Sequence, residues 1–206
     1  MDFSSQAIMW DSDRRVKRAK LIADQIAEAV EIKKHYNALE FGCGTGLISF
    51  NLCDKLNHIT CMDTSEGMIN ALHAKIQQCK VDNMVACQCD INASHTVVPK
   101  YDLIFTSMAL HHIVDIETTL VNLYRSLNIG GYLCIIELDE DDGSFHKLEE
   151  GFNGHNGFNQ NDLNKVLGKI GFKEVDSFTF YSDQKIMEEV SVNYSLFIMT
   201  GKKMTN

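Results

Sequence analysis

The residues best placed to do chemistry lie in Leu39-Glu40-Phe41-Gly42-Cys43-Gly44-Thr45-Gly46. Glycines without a Cβ let backbone come close to a ligand, and a helix beginning just after them offers its positive N-terminus. That is the chemistry of a nucleotide-like ligand. A dinucleotide fingerprint would read G-x-G-x-x-G and hold a pyrophosphate, whereas these glycines read G-x-G-x-G with Glu40 two residues ahead of the first. A carboxylate repels a pyrophosphate but attracts an ammonium or a sulfonium. Two further acids fall at matching places: Asp63 closes the next apolar run, where it can accept hydrogen bonds from ribose hydroxyls, and Asp90 closes the one after. Taken singly, each acid is more commonly a helix cap or turn residue. Three of them at successive strand ends, with the glycines, are hard to explain that way.

S-adenosylmethionine (SAM) combines an adenosine with both of those cations, and it is the ligand this set fits best. Nicotinamide cofactors share the acidic ribose ligand but not the glycine spacing or Glu40.

These residues need a frame. Asn37–Phe41 reads as a buried strand entering the glycine loop, with Leu47–Leu56 as the helix after it. Strands at His58–Met62, Met84–Cys89, Tyr101–Thr106 and Tyr132–Glu137 follow, with helices at Ser65–Gln78 and Ile116–Leu127. Such alternation predicts an α/β fold, a Rossmann-like, mostly parallel sheet with helices on both faces. Ile116, Leu120, Leu123 and Leu127 are spaced four, three and four, with Asn128, Gly130 and Gly131 as the stop. Ahead of the first strand, Val16, Ala19, Ala23, Ile26, Ala27 and Val30 form an amphipathic stripe that predicts a helix over 14–35. After the fifth strand come a helix at Asp162–Ile170 capped by Gly171, then β-rich runs at Phe172–Phe180 and Val190–Thr200 that read as a closing hairpin. The stretch 138–161, rich in Asp, Gly, Asn and His, is too long for an ordinary connection and reads as a lid or a mobile linker.

Composition sets the outer limits. At 206 residues the chain is expected to form one domain, 1–206, with 1–36 as a helical cap and 139–158 as the lid. No apolar run approaches the roughly 18 residues of a membrane span, and the first residues lack a signal peptide's features, so a cytoplasmic protein without a membrane partner is expected. Seven cysteines without framework spacing suit a reducing compartment. Cys87 and Cys89 lack a second pair to complete a zinc site, and the acidic run Glu137 to Asp142 reads as a solvated loop rather than a Mg²⁺ site, so no metal is assigned. A net charge of −9 argues against nucleic acid as partner. The basic group from Arg14 to Lys20 is ordinarily a solvated helix face, with one arginine meeting an anionic ligand group as the minority reading.

The blocks ALEFGCGTGLIS (38–49), CMDTSEGM (61–68), CQCDI (87–91) and YDLIFTSMALHHI (101–113), with the Gly130-Gly131 turn, closely resemble class I SAM-dependent methyltransferases, in particular the small-molecule type 11 group akin to ubiquinone/menaquinone methyltransferases. That resemblance spans nearly the whole chain. It implies a seven-stranded sheet with a reversed last strand, SAM as cofactor, and methyl transfer to a small-molecule acceptor. Gly42, Gly44 and Gly46 would line the cofactor loop, Glu40 would orient the methionine end, and Asp63 would hold the ribose. Thr64 and Met68 would flank sugar and adenine, Asp90 and Ile91 would meet the adenine, and Ser107 and Met108 would lie near the transferable methyl. Segments 139–146 and 155–158, with Trp10-Asp11, are similar to a subgroup of these enzymes.

Methyl transfer from a sulfonium is an in-line displacement, so alignment in a dry site supplies most of the rate. A base is required only for an acceptor that keeps its proton at neutral pH, and His111, His146 and His155 are the candidates. Any one of eight histidines is more often structural than catalytic. A non-catalytic SAM-binding sensor or partner module is the alternative, distinguished by binding without turnover. The acceptor, the methylated atom and the oligomeric state are open.

Overall fold

A computed structural model of the chain describes residues 7–93, 99–187 and 190–205. Seven strands, β1 (Asn37–Phe41), β2 (His58–Asp63), β3 (Met84–Gln88), β4 (Tyr101–Ser107), β5 (Leu127–Leu138), β6 (Phe172–Met187) and β7 (Val190–Lys203), form one sheet in the order β3-β2-β1-β4-β5-β7-β6. The neighbours from β3 to β5 pair in parallel, and β7 runs antiparallel between β5 and β6. This is the expected Rossmann-like seven-stranded, mostly parallel sheet with its reversed last strand.

Side-chain alternation explains why helices cover both faces. In β4, Leu103 and Phe105 join one core with Ile22, Ile26, Leu52 and Leu72, while Ile104 between them joins the other with Leu120, Leu123, Leu163 and Leu167. The first face therefore carries α1 (Asp13–Ala29), α2 (Leu47–Leu52) and α3 (Glu66–Cys79), and the second carries α4 (Ile116–Ser126) and α5 (Gln160–Ile170). Three starts are set by N-caps: Ser65 accepts from Met68 N–H, Asp115 from Thr118 N–H, and Asn159 from the N–H groups of Asn161 and Asp162.

Several boundaries differ from expectation. α1 stops at Ala29 rather than 35, because Val30 turns to extended backbone and buries its side chain in the first core. α2 ends at Leu52 and gives way to a 3₁₀ turn over Cys53–Lys55. β5 begins five residues before Tyr132, since Leu127 already pairs with Tyr101; a register shift follows, and Asn128 donates to the Asp102 carboxylate at 2.8 Å. Residues 128–131, read as a helix stop, are thus an irregular strand start. β6 and β7 outrun their expected ends at Phe180 and Thr200.

The stretch after β5 folds back on itself. Phe158 N–H donates to Leu138 carbonyl at 2.9 Å, Glu140 N–H to Phe158 carbonyl at 3.2 Å, and Asp141 N–H to Asn156 carbonyl at 2.9 Å. The Asp141 carboxylate then accepts from Gly143 and Phe145 N–H, both at 2.9 Å, nucleating the 3₁₀ turn Ser144–His146. The result hangs over the carboxyl ends of β4 and β5.

Candidate active site

Strand order reverses between β1 and β4, and loops leaving the two strands part there. An open α/β sheet presents its binding crevice at that point. Gly42, at φ +68°, has the β4 loop so close that a Cβ would lie 2.4 Å from Ala109 Cβ. Only glycine fits this approach. A cavity of about 930 Å³ opens above.

Its first half is a cradle of backbone and carboxylates. The Asp63 carboxylate at the end of β2 accepts from Gly44 N–H and from Ser65 N–H, both at 2.8 Å, so it fixes the glycine loop while still lining the cavity. Glu40 closes β1, 2% exposed, and accepts from Ser49 N–H at 3.2 Å and from the Ser49 hydroxyl. Burial pushes its carboxyl up to about 8, which the Ser49 bonds only partly offset, and nearby Asp63 pushes in the same direction. Thr64, Met68 and Asp90 also line the cavity. The residues before α1 close this side: Asp11 is ion-paired to Lys75 and accepts from the Thr45 hydroxyl, and Trp10 lines the wall.

Two expected cofactor residues lie behind that wall. Ile91 is buried in the second core, and Gly46 sits outside the lining at φ +74°, the place of its missing Cβ taken by Leu72 Cδ1 at 2.6 Å. Both pack behind the cavity wall, Gly46 within the loop and Ile91 in the second core.

The second half is built of side chains. Ser107 and Met108 leave β4 into the cavity, Met108 with φ +51° and its N–H on the Ile136 carbonyl at 2.9 Å. His111, buried on the following 3₁₀ turn, has Nδ1 2.7 Å from Oε2 of Glu137. Burial alone would push the Glu137 carboxyl up, but the His111 ring and the N–H groups of Leu138 and His111 hold it below the usual carboxylate range. Glu137 is therefore a fully buried partner of His111, which corrects its reading as part of a solvated loop. Asp139, also from that run, accepts from Ser195, Thr179 and Gln160 side chains and ties the segment to the sheet.

His112 and His146 complete the wall. The His112 ring centroid is 4.1 Å from that of His111; burial and the His111 ring together pull its imidazolium down to about 3. His146 is 4% exposed and stacks on Phe152 at 3.8 Å, with neither ring nitrogen hydrogen-bonded among the described residues. One ring nitrogen from each of His111, His112 and His146 falls within 4.8 Å of the others, the one such group of potential metal ligands among the described residues.

His155 lies elsewhere. Its N–H donates to the His111 carbonyl at 2.7 Å, its Nε2 is 2.9 Å from the Ile113 carbonyl, and it is outside the cavity lining. Named with His111 and His146 as a candidate base, it here fastens the segment to the His111 turn. Gly154 helps, since a Cβ there would lie 2.0 Å from that same carbonyl.

The sequence reading missed the cations and aromatics of this half. Arg15 stacks over Trp10 at 3.9 Å, Arg18 donates to the Tyr194 hydroxyl at 3.0 Å, and Lys185 from β6 donates to the Phe145 carbonyl at 2.7 Å. All five line the cavity with Trp10. Only the arginines carried a signal, the basic start of α1. Among the described residues no helix is long and apolar enough to cross a membrane, and all seven cysteines are free.

The family model described as a methyltransferase domain matches residues 32–189. Over 121 residues the chain is 29% identical to an uncharacterized methyltransferase of Schizosaccharomyces pombe, a match covering 55% of this chain and 43% of that protein. Over 136 residues it is 30% identical to malonyl-[acyl-carrier protein] O-methyltransferase 1 of Ilyobacter polytropus, covering 65% of this chain and 49% of the relative. The matched regions are thus less than half of either relative's length. A SAM-dependent methyltransferase from Aquifex aeolicus superposes with a TM-score of 0.68 at 16% identity, over 96% of this chain and 97% of that one, a likeness of fold.

Proposed function

The chain belongs to the methyltransferase domain family, and from that premise we propose that it transfers the methyl group of SAM to a small-molecule acceptor. The observation that carries this reading is the Asp63 carboxylate. It is anchored by two backbone N–H groups and lines a cavity whose adjoining wall holds the buried acid Glu40 and the Cβ-free approach at Gly42.

In this reading Asp63 accepts from the ribose hydroxyls, Thr64, Met68 and Asp90 surround the nucleoside, and Glu40 faces the methionine end. Its raised affinity for protons has a use here. A neutral acid suits the empty site, and a cation entering the cavity favours the carboxylate. The methyl then points toward Ser107 and Met108, and the acceptor sits beneath residues 139–158. That segment acts as the lid, residues 1–36 act as a cap, and both belong to one domain. Alignment and exclusion of water do most of the catalysis, as expected where the leaving sulfur departs neutral. Seven cysteines that remain free thiols support a cytoplasmic setting.

The test is a screen of small metabolites with methyl-labelled SAM, scored by label in the acceptor together with release of S-adenosylhomocysteine. Turnover that requires Asp63 supports the proposal. Tight SAM binding without turnover on any acceptor would favour a sensor module instead.

A further inference from the structure

We infer that His111, His112 and His146 form a binding site for one first-row transition-metal dication, Zn²⁺ being the best match, with an open coordination position facing the cavity. One ring nitrogen from each residue is already gathered within 4.8 Å of the others. At metal–nitrogen distances of about 2.0–2.1 Å, tetrahedral ligands stand roughly 3.3 Å apart, so side-chain adjustment on the order of an ångström closes the set.

Two independent features point the same way. Glu137 engages Nδ1 of His111 at 2.7 Å, which fixes the ring and leaves Nε2 as its remaining ligand atom; this is the carboxylate–histidine arrangement that orients metal-bound imidazoles. His146 is buried with both ring nitrogens lacking a hydrogen-bond partner among the described residues. A buried polar atom left so is costly, and a metal ion satisfies it. The supports are packed in place: Phe152 stacks on His146 with the planes 4° apart, and His155 N–H donates to the His111 carbonyl.

The donor set selects the metal class. Three imidazoles suit Zn²⁺ and its neighbours, whereas Mg²⁺ and Ca²⁺ require oxygen ligands. Three protein ligands with one position open are the pattern of a reactive rather than a structural site. On the methyltransferase reading above, the open position receives the acceptor's nucleophilic oxygen, so the substrate class is a hydroxyl or enol compound. Its O–H proton leaves to solvent, the oxygen lone pair forms the new O–CH₃ bond, and the S–CH₃ bond breaks with its electron pair passing to sulfur.

The experiment reads the metal itself. The whole chain, stripped with chelator and dialysed against Zn²⁺, is assayed for bound metal by mass spectrometry, and with Co²⁺ by visible absorption. One ion per chain and the intense bands of four-coordinate Co²⁺ are expected. His146→Ala and His112→Asn should each abolish retention, and Glu137→Gln should weaken it ~10- to 100-fold. A double Cys87→Ser, Cys89→Ser variant should retain the ion. Melting curves confirm that each variant is folded. No retained metal in the wild type, unchanged metal in folded His146→Ala, or loss only in the cysteine variant would overturn the site. S-adenosylhomocysteine binding, measured on the same samples, separates the two readings: binding without metal sinks this inference alone, and metal without binding sinks the cofactor assignment alone.

Discussion

At the ends of β1 to β3 the cavity wall is local and rich in backbone: Gly42 to Thr45 and Asp63 come from two short stretches, held together by the Gly44 and Ser65 N–H groups on the Asp63 carboxylate. At the ends of β4 and β5 it is long-range and made of side chains, with Arg18 on Tyr194, Lys185 on the Phe145 carbonyl and His111 on Glu137. A cofactor shared by a whole family can be held by geometry that glycine and a strand-end acid always give. An acceptor particular to one member has to be read by side chains that loops bring from several parts of the chain. The first half should therefore fail by losing cofactor, and the second by losing everything except cofactor.

The largest effect that would break this division is at Asp63. Asp63→Ala removes the proposed ribose acceptor and releases the Gly44 and Ser65 N–H groups, and cofactor affinity should fall about 10- to 150-fold by calorimetric titration, from a loss of about 1.5–3 kcal/mol. Unchanged affinity in the folded variant would remove Asp63 from the site.

Next comes the acidity of Glu40. Its carboxyl in the free fold sits near 8, above its ordinary 4.5, so its contribution to stability is complete below 4.5 and is lost as pH rises toward 8. Cation binding favours the carboxylate and expels the proton, so SAM affinity should rise with pH, by up to about tenfold per unit, and level off beyond 8. Glu40→Gln should flatten that slope. A slope that survives in Glu40→Gln would assign the proton to another group.

In the opposite half, Phe152→Ala should cost about 1 kcal/mol of stability by removing the stack on His146, and should speed proteolytic nicking of residues 145–154. S-adenosylhomocysteine affinity should stay near the wild-type value; a large loss would mean that the two halves are one site. The smallest effect is expected at His155. His155→Ala forfeits a bond to the Ile113 carbonyl worth about 1 kcal/mol and should leave turnover nearly intact, whereas a drop of roughly 10² would restore it as a base.

The same division governs what the sequence could reveal. The strands, helices and glycine loop were legible because the pattern that announces each lies within a dozen residues, such as the 3.6-residue stripe of α4 or the run from Glu40 to Gly46. Errors fell where distant contacts decide: Val30 leaves its helix to reach the core, and Leu127 starts β5 early because Tyr101 lies beside it. Glu137 looked like one acid among five in a loop, and only the partner 26 residues away makes it a buried positioning group. His112 and His146, separated by more than thirty residues, carry no spacing that announces a common wall. Ile91 and Gly46 show the converse, since a local motif picks them out while the facing of their side of the chain depends on packing against Leu72 and the second core.

The account stands most directly on the identity of the ligand at the ends of β1 to β3. Thermal unfolding of the wild-type chain with saturating SAM, S-adenosylhomocysteine, NAD or NADP measures it, since a ligand selective for the folded state raises the melting temperature by mass action. SAM and S-adenosylhomocysteine should raise it, and the shift should shrink in Asp63→Ala. A rise with NAD or NADP and none with S-adenosylhomocysteine would contradict the assignment.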